Sequence, residues 1–214
     1  MTIHARLHSV QTGRIAPLGP QGVPSGFVKS RIDGPIAVTS LGLAGDEQAD
    51  LTVHGGPEKA VYAYSAAHYP AWVADFPNHA DLFVPGGVGE NLTIDGLVEA
   101  DLCVGDLNRI GTALLQVCQP RQPCFKFALR FADNHLPKAM VRNGRAGWYY
   151  RVVEEGVLAA GDAVDLVDRP NPDFGFERLV KIVNARRATL DEFAAMAAMD
   201  GLAYDLRAWA RSAA

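Results

Sequence analysis

Glycine or proline breaks nearly every apolar run in the first 175 residues, and this punctuation limits what the chain can fold into. Of 21 glycines only Gly201 lies beyond residue 175, and all 13 prolines lie before it. Such spacing favours short strands joined by tight turns over long helices. Strands are expected at Ile3 to Val10, Ala60 to Ser65, Leu107 to Ile110, Leu114 to Gln119, Trp148 to Glu154 and Val164 to Val167. The expected class is mainly β, a barrel or sandwich. One pattern recurs: Gly105-Asp106 and Gly161-Asp162 each follow an apolar stretch and feed an alternating strand. A turn needing positive φ explains the glycine, and the two copies read as similar edges of one barrel.

The character changes after Arg169-Pro170-Asn171-Pro172. A β domain over residues 1–170 is followed by a helical extension over 173–214. Phe176, Leu179, Val180 and Val183 recur at helical spacing. Thr189 and Glu192 form a Thr-x-x-Glu capping box ahead of a second apolar face, Gly201 interrupts it, and Leu206, Trp209, Ala210 and Ala213 mark a third. Three short amphipathic helices bury little alone and should pack together and onto the barrel.

Several function classes fall away on composition. A formal charge of -4 with no basic stripe argues against nucleic acid as a partner. The longest uncharged stretch, Ala60 to Ala74, is interrupted by polar residues and too short to span a bilayer. Three cysteines cannot all pair, and none shows C-x-x-C spacing. A reducing compartment is indicated rather than a zinc or iron–sulfur site. With no apolar leader at the start of the sequence, the expected location is cytoplasmic. Cys103 and Cys118 fall on predicted strands and are expected in the core.

Cys124 is different. It sits in Gln119-Pro120-Arg121-Gln122-Pro123-Cys124-Phe125-Lys126, where two prolines fix the approach and two cations flank the sulfur. Residues Phe125 to Phe131 read as a short helix, so Cys124 stands at its start and should carry a depressed pKa. A thiolate can ligate a soft metal or attack an electrophile. A cysteine hydrolase would need a histidine base, and spacing alone does not bring His54, His68, His79 or His135 to the sulfur.

Three glycine-rich segments complete the candidates. In His54-Gly55-Gly56-Pro57-Glu58-Lys59, adjacent glycines let backbone N–H groups approach a ligand and Lys59 could meet an anion. The same residues also suit a tight turn with a surface lysine. Gly86-Gly87-Val88-Gly89-Glu90-Asn91 matches no nucleotide-binding pattern, and Glu90 and Asn91 either shape a pocket or satisfy loop backbone. Arg142-Asn143-Gly144-Arg145-Ala146-Gly147 suits either phosphate or a solvated turn.

Taken in order, Gly45-Asp46-Glu47-Gln48-Ala49-Asp50, His54 to Tyr64, Gly89-Glu90-Asn91-Leu92-Thr93 and Gln119 to Lys126 resemble the MOSC domain, named for the C-terminal part of molybdenum cofactor sulfurases. The resemblance is greatest to its stand-alone YiiM type, which carries a three-helix C-terminal extension. It implies a β-barrel and a pocket for the molybdenum cofactor (Mo-molybdopterin), with Cys124 as metal ligand or sulfur carrier. The phosphate-bearing cofactor would be met by Lys59, Gly55, Gly56, Asn91, Arg121 and Lys126. The implied activity is reduction of small N-hydroxylated compounds, including N-hydroxylated purine bases, to amines. Asp46, His54 and Glu90 are then the candidate proton donors. With no fused ferredoxin domain in this sequence, electrons would come from a separate protein such as a flavin-containing reductase, and a homodimer is compatible with this plan. A non-redox carrier of cofactor or persulfide is the competing reading.

Overall fold

The structure, a computed structural model, describes residues 4–213. Ile3, the first residue of the first predicted strand, lies outside them. The strands are β1 (Arg6–Thr12), β2 (Ala16–Leu18), β3 (Val23–Ser25), β4 (Ser30–Ile32), β5 (Ile36–Thr39), β6 (Gly42–Leu43), β7 (Val61–Ser65), β8 (Leu92–Asp95), β9 (Leu107–Ile110), β10 (Ala113–Pro120), β11 (Trp148–Glu154), β12 (Gly156–Leu158) and β13 (Val164–Asp168). The helices are α1 (Tyr69–Asp75), α2 (Phe125–Phe131), α3 (His135–Asn143), α4 (Phe176–Ala185), α5 (Leu190–Ala198) and α6 (Tyr204–Ala213).

Eight strands form one mixed sheet in the order β13-β9-β10-β11-β7-β8-β1-β4, in which β7 and β8 are parallel and the other pairs antiparallel. The expected sheet-rich architecture with short helices is present, but the ladder is open at β4 and β13. A single bridge, Arg6 to Ala163, and backbone bonds such as Leu7 N–H to Asp162 O at 2.9 Å link β1 to the approach of β13. The two Gly-Asp turns are built alike. Asp106 accepts from Cys103 N–H at 2.9 Å and Asp162 from Ala159 N–H at 2.8 Å, with Gly105 and Gly161 at φ 84 and 95. Each feeds one member of an adjacent antiparallel pair, β9 and β13.

Two apolar clusters hold the sheet. The larger joins Leu7, Leu92, Ile94, Leu115 and Trp148 to Phe176, Leu179, Met196 and Ala210 of the last three helices. Those helices therefore share the core of the sheet, each fully buried large side chain contributing about 1.5–3 kcal/mol. The capping box at Thr189 and Glu192 forms as expected, with Glu192 N–H to Thr189 Oγ1 at 3.2 Å and Thr189 N–H to Glu192 Oε2 at 2.8 Å. The second cluster, Tyr64, Trp72, Phe83, Phe127, Phe131 and Met140, packs α1, α2 and α3 together. Cys103 and Cys118 are buried. No helix among the described residues is long and apolar enough to cross a membrane.

Candidate functional site

Strand ends deliver the site. β10 runs out at Pro120 directly into Arg121, β11 begins at Trp148 opposite Pro120, β7 carries Tyr62, and Asn91 immediately precedes β8. Asn91 knits this corner. Its Oδ1 accepts from Tyr62 N–H at 3.1 Å, its Nδ2 donates to Gln11 O at 3.3 Å, and its own N–H donates to Tyr62 O at 2.8 Å.

Cys124 follows two prolines and takes extended backbone, φ -106 and ψ 171, as the N-cap of α2 without capping it through its side chain. The sulfur is half-buried and free. Burial opposes its ionisation. A hydrogen bond from His54, the charge of Arg121 and the Lys126 N–H together outweigh that cost and lower the thiol to about 7. The histidine that spacing could not assign is therefore His54. Its loop turns on Gly55 and Gly56, both at positive φ (79 and 78), which a side chain would strain.

The cations here are unusual in what they lack. Arg121 is 5% exposed, and its guanidinium lies over three rings, Phe127 at 5.1 Å, Tyr62 at 5.2 Å and Phe27 at 5.6 Å. Its Nη1 donates to Met140 Sδ at 3.2 Å. Among the described residues neither Arg121 nor the buried Lys126 has a carboxylate within ion-pair distance. A buried guanidinium without a carboxylate partner is costly unless something anionic completes it, as the Cys124 thiolate does in part. Lys29, by contrast, is buried against Asp46 at 2.5 Å.

One cleft brings together Asp46, His54, Gly55, Lys59, Asn91, Arg121, Cys124 and Lys126. A second cleft opens from the same thiol and adds Gln119, Pro123, Phe125 and Asp205 of α6. Gly56 is not among the lining residues of either. Lys59 folds back, its Nζ donating to Val53 O at 2.7 Å. Asp46 is fully committed, since besides Lys29 it accepts from Gly13 N–H at 2.7 Å and Gln48 Nε2 at 3.2 Å. Glu90 lies outside both clefts. Fully buried, it satisfies its own loop by accepting from Gly86 N–H at 2.6 Å, Val88 N–H at 3.2 Å, Thr93 Oγ1 and Tyr69 Oη. The Arg142–Gly147 turn is separate as well, with Arg145 paired to Asp75 at 2.6 Å.

Sequence reasoning missed Phe27, Lys29, Tyr62 and Tyr149 as lining residues. Tyr62 stood in the His54 to Tyr64 segment without being singled out, and no pattern marked the others, which come from loops and strands distant in sequence. Only the apolar neighbours of Tyr62 and Tyr149, typical of buried strands, hinted at burial.

The MOSC domain family matches residues 50–165. The chain is 44% identical over 160 residues to the protein YiiM of Escherichia coli K12, covering 75% of this chain and 71% of that protein. It is 38% identical over 188 residues to a protein of Gibberella moniliformis named Reductase, covering 86% of this chain but only 33% of that longer protein. Among solved structures, YiiM from Geobacillus stearothermophilus superposes with a TM-score of 0.82 at 30% identity, covering 97% of this chain and 98% of that one. YiiM from Escherichia coli gives 0.78 at 32%, covering 93% and 92%.

Proposed function

Because this chain belongs to the MOSC domain family, we propose that it is a molybdenum-cofactor-dependent reductase that converts small N-hydroxylated compounds, N-hydroxylated purine bases among them, to amines. One observation carries the reading: a single cleft unites an ionisable thiol with cations that lack carboxylate partners. The donor set fits the group. A thiolate is a suitable soft ligand for the metal, and Arg121, Lys126 and Lys59 suit its anionic phosphate. When bound, the cofactor supplies two-electron redox chemistry.

The rest falls to the chain. Cys124 presents its sulfur as thiolate, with His54 and the Lys126 N–H holding that ionised form. Arg121 waits, preorganised by three rings, for a negative charge. Gly55 brings main chain to the cleft wall, and Asn91 fixes β8 beside Tyr62. Reduction of R–NHOH to R–NH2 and water consumes two electrons and two protons. His54, at the sulfur and in the cleft, is the group suited to hold one of those protons. Asp46 serves instead to hold Lys29, because its carboxylate oxygens are already taken. Electrons would arrive from a separate flavin-containing reductase.

The test is turnover of N-hydroxylaminopurine by protein purified from a host that makes molybdopterin, driven by a chemical reductant. Amine formation that disappears in Cys124→Ala supports the reading. Cofactor or persulfide held on Cys124 without turnover replaces it with the carrier. Metal-free hydrolysis of an ester replaces both with a cysteine hydrolase.

A further inference from the structure

The loop bearing His54 is held mostly by itself. Asp50 accepts from Thr52 N–H at 3.0 Å and Thr52 Oγ1 at 2.6 Å, and His54 N–H reaches Asp50 O at 2.9 Å. Lys59 bonds Val53 within the same loop, and two positive-φ glycines follow His54 directly. Glu58 is the exception. One carboxylate oxygen meets Arg151 Nη2 of β11 at 2.5 Å, and the other accepts Tyr204 N–H, the first amide of α6, at 2.8 Å. Its carbonyl accepts from Gln119 Nε2 at 2.9 Å and Cys118 Sγ at 3.1 Å on β10. One residue thus ties this loop to two strands and to the last helix. Two further contacts place that helix at the site: Ala203 N–H bonds Cys118 O at 3.0 Å, and Asp205 lines the outer cleft.

We infer that Glu58 is a positioning residue through which the C-terminal helices hold the His54 loop at the wall of the cleft it shares with Cys124. The helical extension then has a task beyond burying apolar surface: the amino end of α6 anchors the loop that reaches the thiol. The inference stands on the loop's bonding and holds whether or not the cleft carries the cofactor.

Two variants test it in the full chain. Glu58→Gln weakens both side-chain contacts. Tyr204→Pro deletes the donated N–H together with an exposed side chain, and proline is well tolerated at the first position of a helix. Hydrogen exchange and peptide-resolved iodoacetamide labelling are followed at neutral pH. Amides over residues 50–59 should exchange about 10- to 100-fold faster in both variants, the ratio that one charge-assisted hydrogen bond controls. Cys124 should alkylate several-fold more slowly, with β10 and β11 exchange unchanged. In a His54→Ala background, Glu58→Gln should add no further slowing, because its effect passes through His54. Wild-type loop exchange in Tyr204→Pro overturns the inference, as does full additivity with His54→Ala.

Discussion

Replacing Arg121 by methionine separates binding from folding. The wild-type guanidinium is buried and has no carboxylate partner among the described residues. Desolvating an ion costs several kcal/mol after relaxation. Three cation–π contacts return about 0.5–2 kcal/mol each. The terms nearly cancel, so Arg121→Met in the cofactor-free protein should change unfolding free energy by less than about 2 kcal/mol. An arginine in a buried ion pair would instead cost about 3–5 kcal/mol when removed. Anion binding should behave differently. Truncating one partner of a buried, hydrogen-bonded charge pair costs about 2–5 kcal/mol, which is between about 30-fold and several thousand-fold in affinity. The assays are urea denaturation of cofactor-free protein and pterin fluorescence of protein purified from a cofactor-producing host. A variant that unfolds more than about 4 kcal/mol more easily while retaining wild-type pterin would refute the reasoning and make Arg121 structural.

Three further outcomes are expected. Cys124 should alkylate with a midpoint near pH 7, its thiolate forming above that value, while Cys118, pushed by burial to about 12, stays silent until the chain unfolds; peptide mass spectrometry across pH separates the two. Burial works against the charge of Glu99, but the His68 ring at 2.7 Å and Gly147 N–H outweigh it and hold the carboxyl below its ordinary value. Its stabilisation is thus present above the unfolded pKa of about 4.3 and lost as pH falls through the folded one. Glu99→Gln should flatten that acid limb in urea titrations at stepped pH. Gly147→Ala should lower stability by at least about 2 kcal/mol, visible in thermal melts. Its φ is 66 and an added Cβ would lie 2.4 Å from Ala63 O.

The sequence made some features readable because their causes are local. Strands β9 and β11 have the predicted bounds, since Gly105-Asp106 and Gly111 punctuate β9 and Gly147 and Glu155-Gly156 punctuate β11. Helix α2 follows from the spacing of Phe127 and Phe131, and the Thr189 box from capping chemistry. Short strands such as β5 and β8 escaped, because β8 draws its partners from β1 and β7, far away in the chain. Helices α1 and α3 escaped because Pro70 and Pro137 look like breakers yet sit within their first turns, where little intrahelical bonding is lost. At the site, Cys124, Arg121 and Lys126 were legible from their shared segment. The approach of His54 to the sulfur was not, since it arises from two loops far apart in sequence that line the same cleft. Of the two readings of Glu90, the loop-satisfying one holds, since four donors consume the carboxylate and leave it no part as a proton donor in the cleft.

Metal analysis bears most directly on the central claim. Protein purified from a host that assembles molybdopterin should contain about one molybdenum per chain, the stoichiometry of a single ligating thiolate, and Cys124→Ala should contain none while melting as the wild type does. Molybdenum retained at full stoichiometry in Cys124→Ala, or absent from the wild type, would contradict the account.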